Sequence, residues 1–288
     1  MDTKNYGKGA LKDKRDIRDF RLEVHLKRIG APILPLTYDI SDKVNGIKNQ
    51  GSSSSCGGQA FSYYIEMLTR LRDNTQFQLS AKDVYSNVFV PGGGSYARDL
   101  LKRIQNYGIA QEKDISSYEN GQPPSEQFME SVIPRTNDID LDAKQRLIGA
   151  YLTFSSTDQT QVKQAIYTGN GAIIAVLGND YCWTHLQDGI VSVPDNNSQC
   201  PWGHFLYLLG WEVKDGIPCY KFVNSWSLDW GINGFGYLPE GYLIKGLGYN
   251  EWTTVELPRD QWSNMQKMVS ILKNLVELFT ELIAKLKK

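Results

Sequence analysis

Histidine is scarce in this chain. His25, His185 and His204 are the only three among 288 residues, and none stands at the spacing a zinc site uses. No Cys-x-x-Cys pair accompanies them, so neither a metal nor another cofactor is expected. Cysteine is sparse too: Cys56, Cys182, Cys200 and Cys219 could form two bridges, but not if one of them is a nucleophile. A Cys182–Cys200 bridge stays open beside the alternative of buried thiols. Long apolar runs are missing, so no segment approaches a membrane span and membrane association is not expected. The first 28 residues are rich in Lys, Arg and Asp and lack the apolar stretch of a secretory signal. The expectation is a cytoplasmic protein in a reducing compartment. Excess charge is absent as well: a net charge of −1 gives no electrostatic case for a nucleic-acid partner.

What the chain does have is hydrophobic residues at 41%, with 16 Tyr and 7 Trp, enough for one large domain or two packed lobes. Residues 1–31 read as a charged lead-in or clasp, residues 32–258 as the main domain and residues 259–288 as an amphipathic C-terminal helix. In the first half, a helix is expected from the Gly/Ser-rich stretch 49–62 to about Arg72, with Ala60, Tyr64, Ile65, Leu68 and Leu71 on one face. Ser80 is a plausible N-cap with Asp83 three residues on, and Ser95 would cap a helix bearing Leu100, Leu101 and Ile104 that Gly108 ends. Residues 111–146 read as a polar, irregular surface excursion. Strands dominate from Ile148, and Asp215-Gly216 marks a hairpin between His204–Trp211 and Pro218–Val223. The stretch Gly234–Leu238 closes the β region. In the last helix, Met265, Met268, Leu272, Leu275, Phe279, Leu282 and Leu286 recur at intervals of three and four. That stripe fits a helix docked on its own domain, a homo-oligomerising coiled coil, or a helix lying on a membrane surface.

Cys56 stands where the Gly/Ser run meets the helical pattern. A thiol in a helix's first turn feels the positive end of the dipole, which favours the thiolate. The plain alternative is a linker followed by a buried cysteine. His204 heads an apolar strand, and Asn224 ends the strand that returns from it, so antiparallel pairing can set an imidazole beside an amide. Gln50, six residues before Cys56, can offer an amide N–H to a developing oxyanion together with the Cys56 backbone N–H. His185 is a rival base without a hairpin partner, and His25 lies in the lead-in.

Gln50-Gly51, Cys56, His204, Asn224-Ser225-Trp226 and Trp230-Gly231, in that order, resemble the papain family of cysteine peptidases, over about residues 32–257. The resemblance implies an α+β fold with a helical left lobe, a β-rich right lobe and a cleft between them. It implies Cys56 as nucleophile, His204 as base and acid, Asn224 as its orienter and Gln50 in the oxyanion hole. Trp226 would shield the His204–Asn224 bond and face substrate. Gly93 and Gly94, within Gly92-Gly93-Gly94, would pair with the substrate backbone, although the run could be only a turn. The implied reaction is endoproteolysis of a peptide or protein substrate through an acyl-enzyme thioester. Two rivals are a catalytically idle scaffold that holds peptides and a hydrolase of peptidoglycan stem peptides. The chain departs from the family pattern at Ser53, where relatives carry a disulfide cysteine, and at Gly57, where they carry an aromatic residue.

Overall fold

The computed structural model describes residues 6–195, 199–255 and Ile283. The described residues up to Val255 belong to one compact unit. The C-terminal helix expected over 261–288, with its oligomer and membrane readings, lies outside the described residues.

The chain enters through a short strand, β1 (Ala10–Leu11), and a helix, α1 (Leu22–Ile29), followed by β2 (Tyr38–Asp39). Then come α2 (Cys56–Asp73), α3 (Ala81–Tyr85), β3 (Ser95–Tyr96) and α4 (Ala97–Tyr107). The Ser80 side chain accepts the Asp83 N–H at the start of α3. Ser95 does not cap α4: it belongs to β3, which pairs in parallel with β1, and the helix starts after Tyr96 without a side-chain cap. The excursion at 111–146 is more ordered than its composition suggests. It holds α5 (Glu126–Glu130), capped by Ser125, and α6 (Asn137–Ala143), capped by Thr136.

The second half is a sheet flanked by short helices. Its strands are β4 (Ala150–Thr153), β5 (Ala172–Gly178), β6 (Trp202–Lys214), β7 (Ile217–Val223), β8 (Phe235–Pro239) and β9 (Gly248–Val255). Between them lie α7 (Gln159–Thr168), α8 (Asp180–Thr184) and α9 (Glu240–Ile244). The strand order is β4-β9-β5-β6-β7-β8, with β2 added to β6. The β region therefore does not close at Leu238. The chain returns through α9 to insert β9 between β4 and β5. The alternation that would announce β9 is broken by Asn250 at φ 50°, where the register against β5 shifts. Tyr249 and Trp252, three apart, consequently reach the same core.

Strand β6 sorts its side chains by parity. Phe205, Tyr207 and Leu209 pack with Phe61, Tyr64 and Leu68 of α2. Leu206 and Leu208 pack with Trp183, Trp226 and Trp230 on the opposite face. The helical and β-rich halves thus share a wall, with His204 at its leading end. Helix α2 is buried along most of its length, while Leu71, assigned to the apolar face from its spacing, is exposed.

The segment ahead of α2 is anchored by a buried ion pair. Lys48 Nζ lies 2.7 Å from Glu66 Oε1 and also donates to Leu79 O at 3.0 Å. Both side chains are 5% exposed, and burial is the main influence raising the Glu66 carboxyl above its usual pKa. Removing one partner of such a pair leaves an uncompensated buried charge. Lys48→Met should cost about 3–5 kcal/mol in urea unfolding, and Lys48→Met with Glu66→Gln should cost less than the single change. Equal losses would show that the pair is not coupled.

Candidate active site

The loop before α2 is held by its own polar side chains. Ser53 Oγ donates to Gln50 O at 2.6 Å and lies 2.7 Å from Ser55 Oγ. Cys56 opens α2 and is fully buried. The two glycines after it answer a packing requirement. A Cβ at Gly57 would lie 2.6 Å from Leu100 Cδ1, and one at Gly58 would lie 2.6 Å from Ala81 O. Helix α2 therefore packs backbone-close against α3 and α4, which limits its freedom without a side chain at either position.

His204 sits at the start of β6, paired with Val176 of β5. Asp215 and Gly216 both have positive φ, forming the tight turn that joins β6 to β7. Beyond the end of β7, Asn224 Oδ1 accepts from His204 Nε2 at 2.8 Å and from the Ser225 N–H at 2.8 Å. With Nε2 bonded there, Nδ1 is the nitrogen left over, and it is buried without a protein partner. The Trp226 ring covers the imidazole, with centroids 4.6 Å apart. Trp183 meets both rings edge-on. The Phe205 N–H donates toward the Cys56 sulfur, so the strand that carries the imidazole passes beside the thiol.

Gln50 joins these parts. Its Oε1 accepts from Ser225 Oγ at 2.6 Å, and its Nε2 donates to Ser53 O at 2.8 Å. The other Nε2 donor reaches Gly7 O at 2.8 Å. That carbonyl belongs to the N-terminal lead-in, which lies over the site. Tyr6 stacks on Trp226 at 5.5 Å, Gly7 N–H donates to Gly51 O, and Gly9 O accepts from Ser95 N–H. The Gly9 N–H donates toward the Cys56 sulfur. The glycines are obligatory, because a Cβ at Gly7 would overlap Ser53 O and one at Gly9 would overlap Ser54 O. Beyond them, Tyr249 Oη donates to Ala10 O at 2.8 Å and Asn250 Nδ2 to Leu11 O at 2.6 Å.

Burial determines the ionisation of the site. Burial pushes the Cys56 thiol up to about 11, with only partial relief from the N–H groups of Phe205, Gly9 and Gly57. Burial pushes the His204 imidazole down to about 4, against the favourable bond to Asn224, and the Lys8 charge lowers it further. The thiolate expected from the helix dipole is therefore not the form present here, because loss of water outweighs the dipole. The site is a neutral thiol beside a neutral imidazole.

Of the two candidate glycines, Gly94 borders the lead-in backbone, and its Cβ would lie 2.6 Å from Gly9 O. Gly93 instead borders the Ser54 side chain and Glu126. His185 stands apart: it is exposed, stacked on Tyr181 and bonded through Nδ1 to Tyr181 O. All four cysteines are free, so Cys182 and Cys200 are not bridged. Among the described residues no metal-ligand cluster occurs and no helix is long and apolar enough to cross a membrane.

Two residues that sequence reasoning did not single out, Tyr85 and Glu126, tie the loop before Cys56 to the glycine run. The Ser54 N–H donates to Glu126 Oε2, and Tyr85 Oη donates to Glu126 Oε1 at 2.6 Å. Tyr85 Oη in turn accepts from the Gly94 N–H at 2.9 Å. Glu126 lies 70 residues beyond Cys56 in a polar stretch, and no spacing pattern connects the two.

Comparison with known proteins agrees with this arrangement. Residues 34–245 match the model of the papain family cysteine protease. The chain belongs to the papain family. Relatives include a cysteine protease of Blomia tropicalis, 23% identical over 77% of this chain and 65% of its own length. The viral cathepsin of Heliothis zea nuclear polyhedrosis virus is 26% identical over 72% of this chain and 53% of its own length. The chain thus spans between about half and two-thirds of the length of these relatives. Among solved structures, the cysteine protease xylellain of Xylella fastidiosa superposes with a TM-score of 0.72 at 21% identity, covering 88% of this chain and 98% of that one. The α+β papain-like fold is therefore shown.

A burial-raised thiol should react slowly. Ionisation alone lowers the thiolate fraction about a hundredfold for a two-unit rise. Iodoacetamide at pH 7, followed by peptide mapping, should label Cys56 of the native chain at least about a hundredfold more slowly than the urea-unfolded chain. Similar rates in both states would show that the thiol is not shielded.

Proposed function

We propose that this chain is a cysteine endopeptidase whose site is occupied by its own N-terminal segment. The observation that carries this reading is the hydrogen bond from Gln50 Nε2 to Gly7 O, with the Gly9 N–H directed at the Cys56 sulfur. A peptide backbone already fills the space where a substrate carbonyl and a nucleophile would meet.

In the open form, His204 Nδ1 takes the Cys56 proton while Asn224 holds Nε2–H. The thiolate attacks the substrate carbonyl, and the oxyanion is met by Gln50 Nε2–H and the Cys56 backbone N–H. His204 then protonates the leaving amine. Water, deprotonated by the same imidazole, hydrolyses the thioester. Trp226 and Trp183 keep bulk water from the His204–Asn224 bond, while the Gly94 backbone faces the bound peptide. In the closed form the lead-in is not cut. The sulfur receives an N–H rather than facing a carbonyl, and His204 Nδ1 has no protein partner, so no leaving amide is aligned with it. Free thiols at all four cysteines suit a reducing compartment, in keeping with a cytoplasmic enzyme.

Acid should favour opening. Closed His204 titrates near 4, and exposure to water returns an imidazole toward 6.5. Between these values the open form binds more protons, so lowering the pH through this window shifts the equilibrium toward opening, by roughly a hundredfold at pH 4.5. Steric removal of the cover should act without acid. Full-length Gly9→Val should cleave a broad peptide library at pH 7 faster than the native chain, and adding Cys56→Ala should abolish that cleavage. Cleavage that survives Cys56→Ala would refute the mechanism. No cleavage by any form, opened or acidified, would leave a peptide-holding scaffold.

A further inference from the structure

The lead-in makes a second set of contacts, through Lys8, that the proteolytic mechanism does not require. Between the two obligatory glycines stands Lys8, whose side chain is only 12% exposed. Its ammonium lies 3.3 Å from Asp180 Oδ1, 5.5 Å from the Trp202 ring centroid and 5.8 Å from that of Trp226. The indoles meet edge to face at 6.1 Å. Trp202 Nε1 donates to Asp180 Oδ1 at 3.1 Å, which orients the carboxylate. Two aromatic surfaces and one oriented carboxylate form a receptor for a cation. Each wall comes from a different element: Asp180 from α8, Trp202 from β6 and Trp226 from the turn after β7.

We propose that Asp180, Trp202 and Trp226 form a substrate subsite for a lysine or arginine side chain, which Lys8 fills while the lead-in covers the cleft. The proposal rests on the proteolytic reading for its use in turnover. Its place in the substrate follows from the geometry. Trp226 covers His204, and Trp202 lies two residues before His204 on the same strand. The imidazole protonates the leaving amine, so this wall meets the part of the substrate C-terminal to the scissile bond. A carboxylate 36% exposed also admits an incoming side chain from solvent once Lys8 withdraws.

Binding and turnover test this separately. For binding, the full-length chain carries Cys56→Ala to prevent turnover, and Gly7→Val with Gly9→Val to displace its own lead-in. The probe is a fluorescent peptide Tyr-Gly-Lys-Gly-Ala-Leu, copying residues 6–11, compared with its norleucine analogue by anisotropy. The lysine peptide should bind about tenfold more tightly, the combined worth of a partly shielded ion pair and a cation–π contact. Asp180→Asn should remove most of that ratio, and added salt should shrink it. Equal binding of the two peptides, a ratio indifferent to Asp180→Asn, or no binding would overturn the subsite. For turnover, the same displaced chain with Cys56 intact should cleave library peptides with Lys or Arg enriched C-terminal to the cut, and Asp180→Asn should erase the enrichment. Cleavage without that enrichment would overturn the substrate role. Discrimination in binding with no cleavage at all would sink the proteolytic reading while supporting a cation-selective peptide site.

Discussion

The side-chain amide of Gln50 is the point on which the site depends. Its oxygen is bonded by Ser225, directly after Asn224, and its nitrogen bonds both Ser53 of the nucleophile loop and Gly7 of the lead-in. The backbone repeats the connection: Gln50 N–H donates to Ser225 O, and Ser227 N–H donates to Lys48 O. A displacement of the β hairpin would therefore strain the loop that carries Cys56. The buried Lys48–Glu66 pair anchors the other side of this stitch to the middle of α2. Such a fully used amide has one satisfactory orientation, because rotating it by half a turn would set its oxygen against the carbonyl oxygens of Ser53 and Gly7 and take the acceptor away from the Ser225 hydroxyl.

Burial then sets the chemistry of the closed state. Neutral thiol and neutral imidazole are the forms a water-poor site favours, and the glycine-lysine-glycine run is one of the segments packed around it. Glycine is needed twice because the lead-in lies directly on the carbonyls of Ser53 and Ser54. The residue between them carries a cation that further disfavours an imidazolium. One short segment thus donates to the Cys56 sulfur, bonds the Gln50 amide and opposes the charged form of His204. No single one of these effects requires a large interface, since each acts on an atom already surrounded by protein.

Local signals made much of this legible in the sequence. The Asp215-Gly216 turn fixes which ends of β6 and β7 meet, and that alone brings Asn224 toward His204. The Ser80 cap and the long α2 follow equally from nearest neighbours in the chain. What escaped depends on partners far away in sequence. Strand β9 is disguised by a positive-φ asparagine that breaks its alternation. Ser95 looks like a cap until β1 arrives to pair with it. The thiolate expected at a helix start is opposed by burial, which comes from segments distant in the chain and has no local signature. The Cys56 dipole argument was sound in direction and too small in size.

The loop around Ser53 is held without a disulfide. Ser53 spends its hydroxyl on Gln50 O, within the loop. The connection to the glycine run is made instead by Glu126, which takes the Ser54 N–H with one oxygen and the Tyr85 hydroxyl with the other. Because Tyr85 also receives the Gly94 N–H, loop and glycine wall are joined through three hydrogen bonds and no covalent link. A carboxylate acceptor makes two of those bonds charge-assisted, which offsets part of what a disulfide would contribute. Unlike a disulfide, this connection is indifferent to reducing agents, and it is available to a chain whose four thiols are all free. The tie between loop and glycine run is therefore supplied, in this chain, by an acidic residue in the polar stretch between the two halves of the molecule.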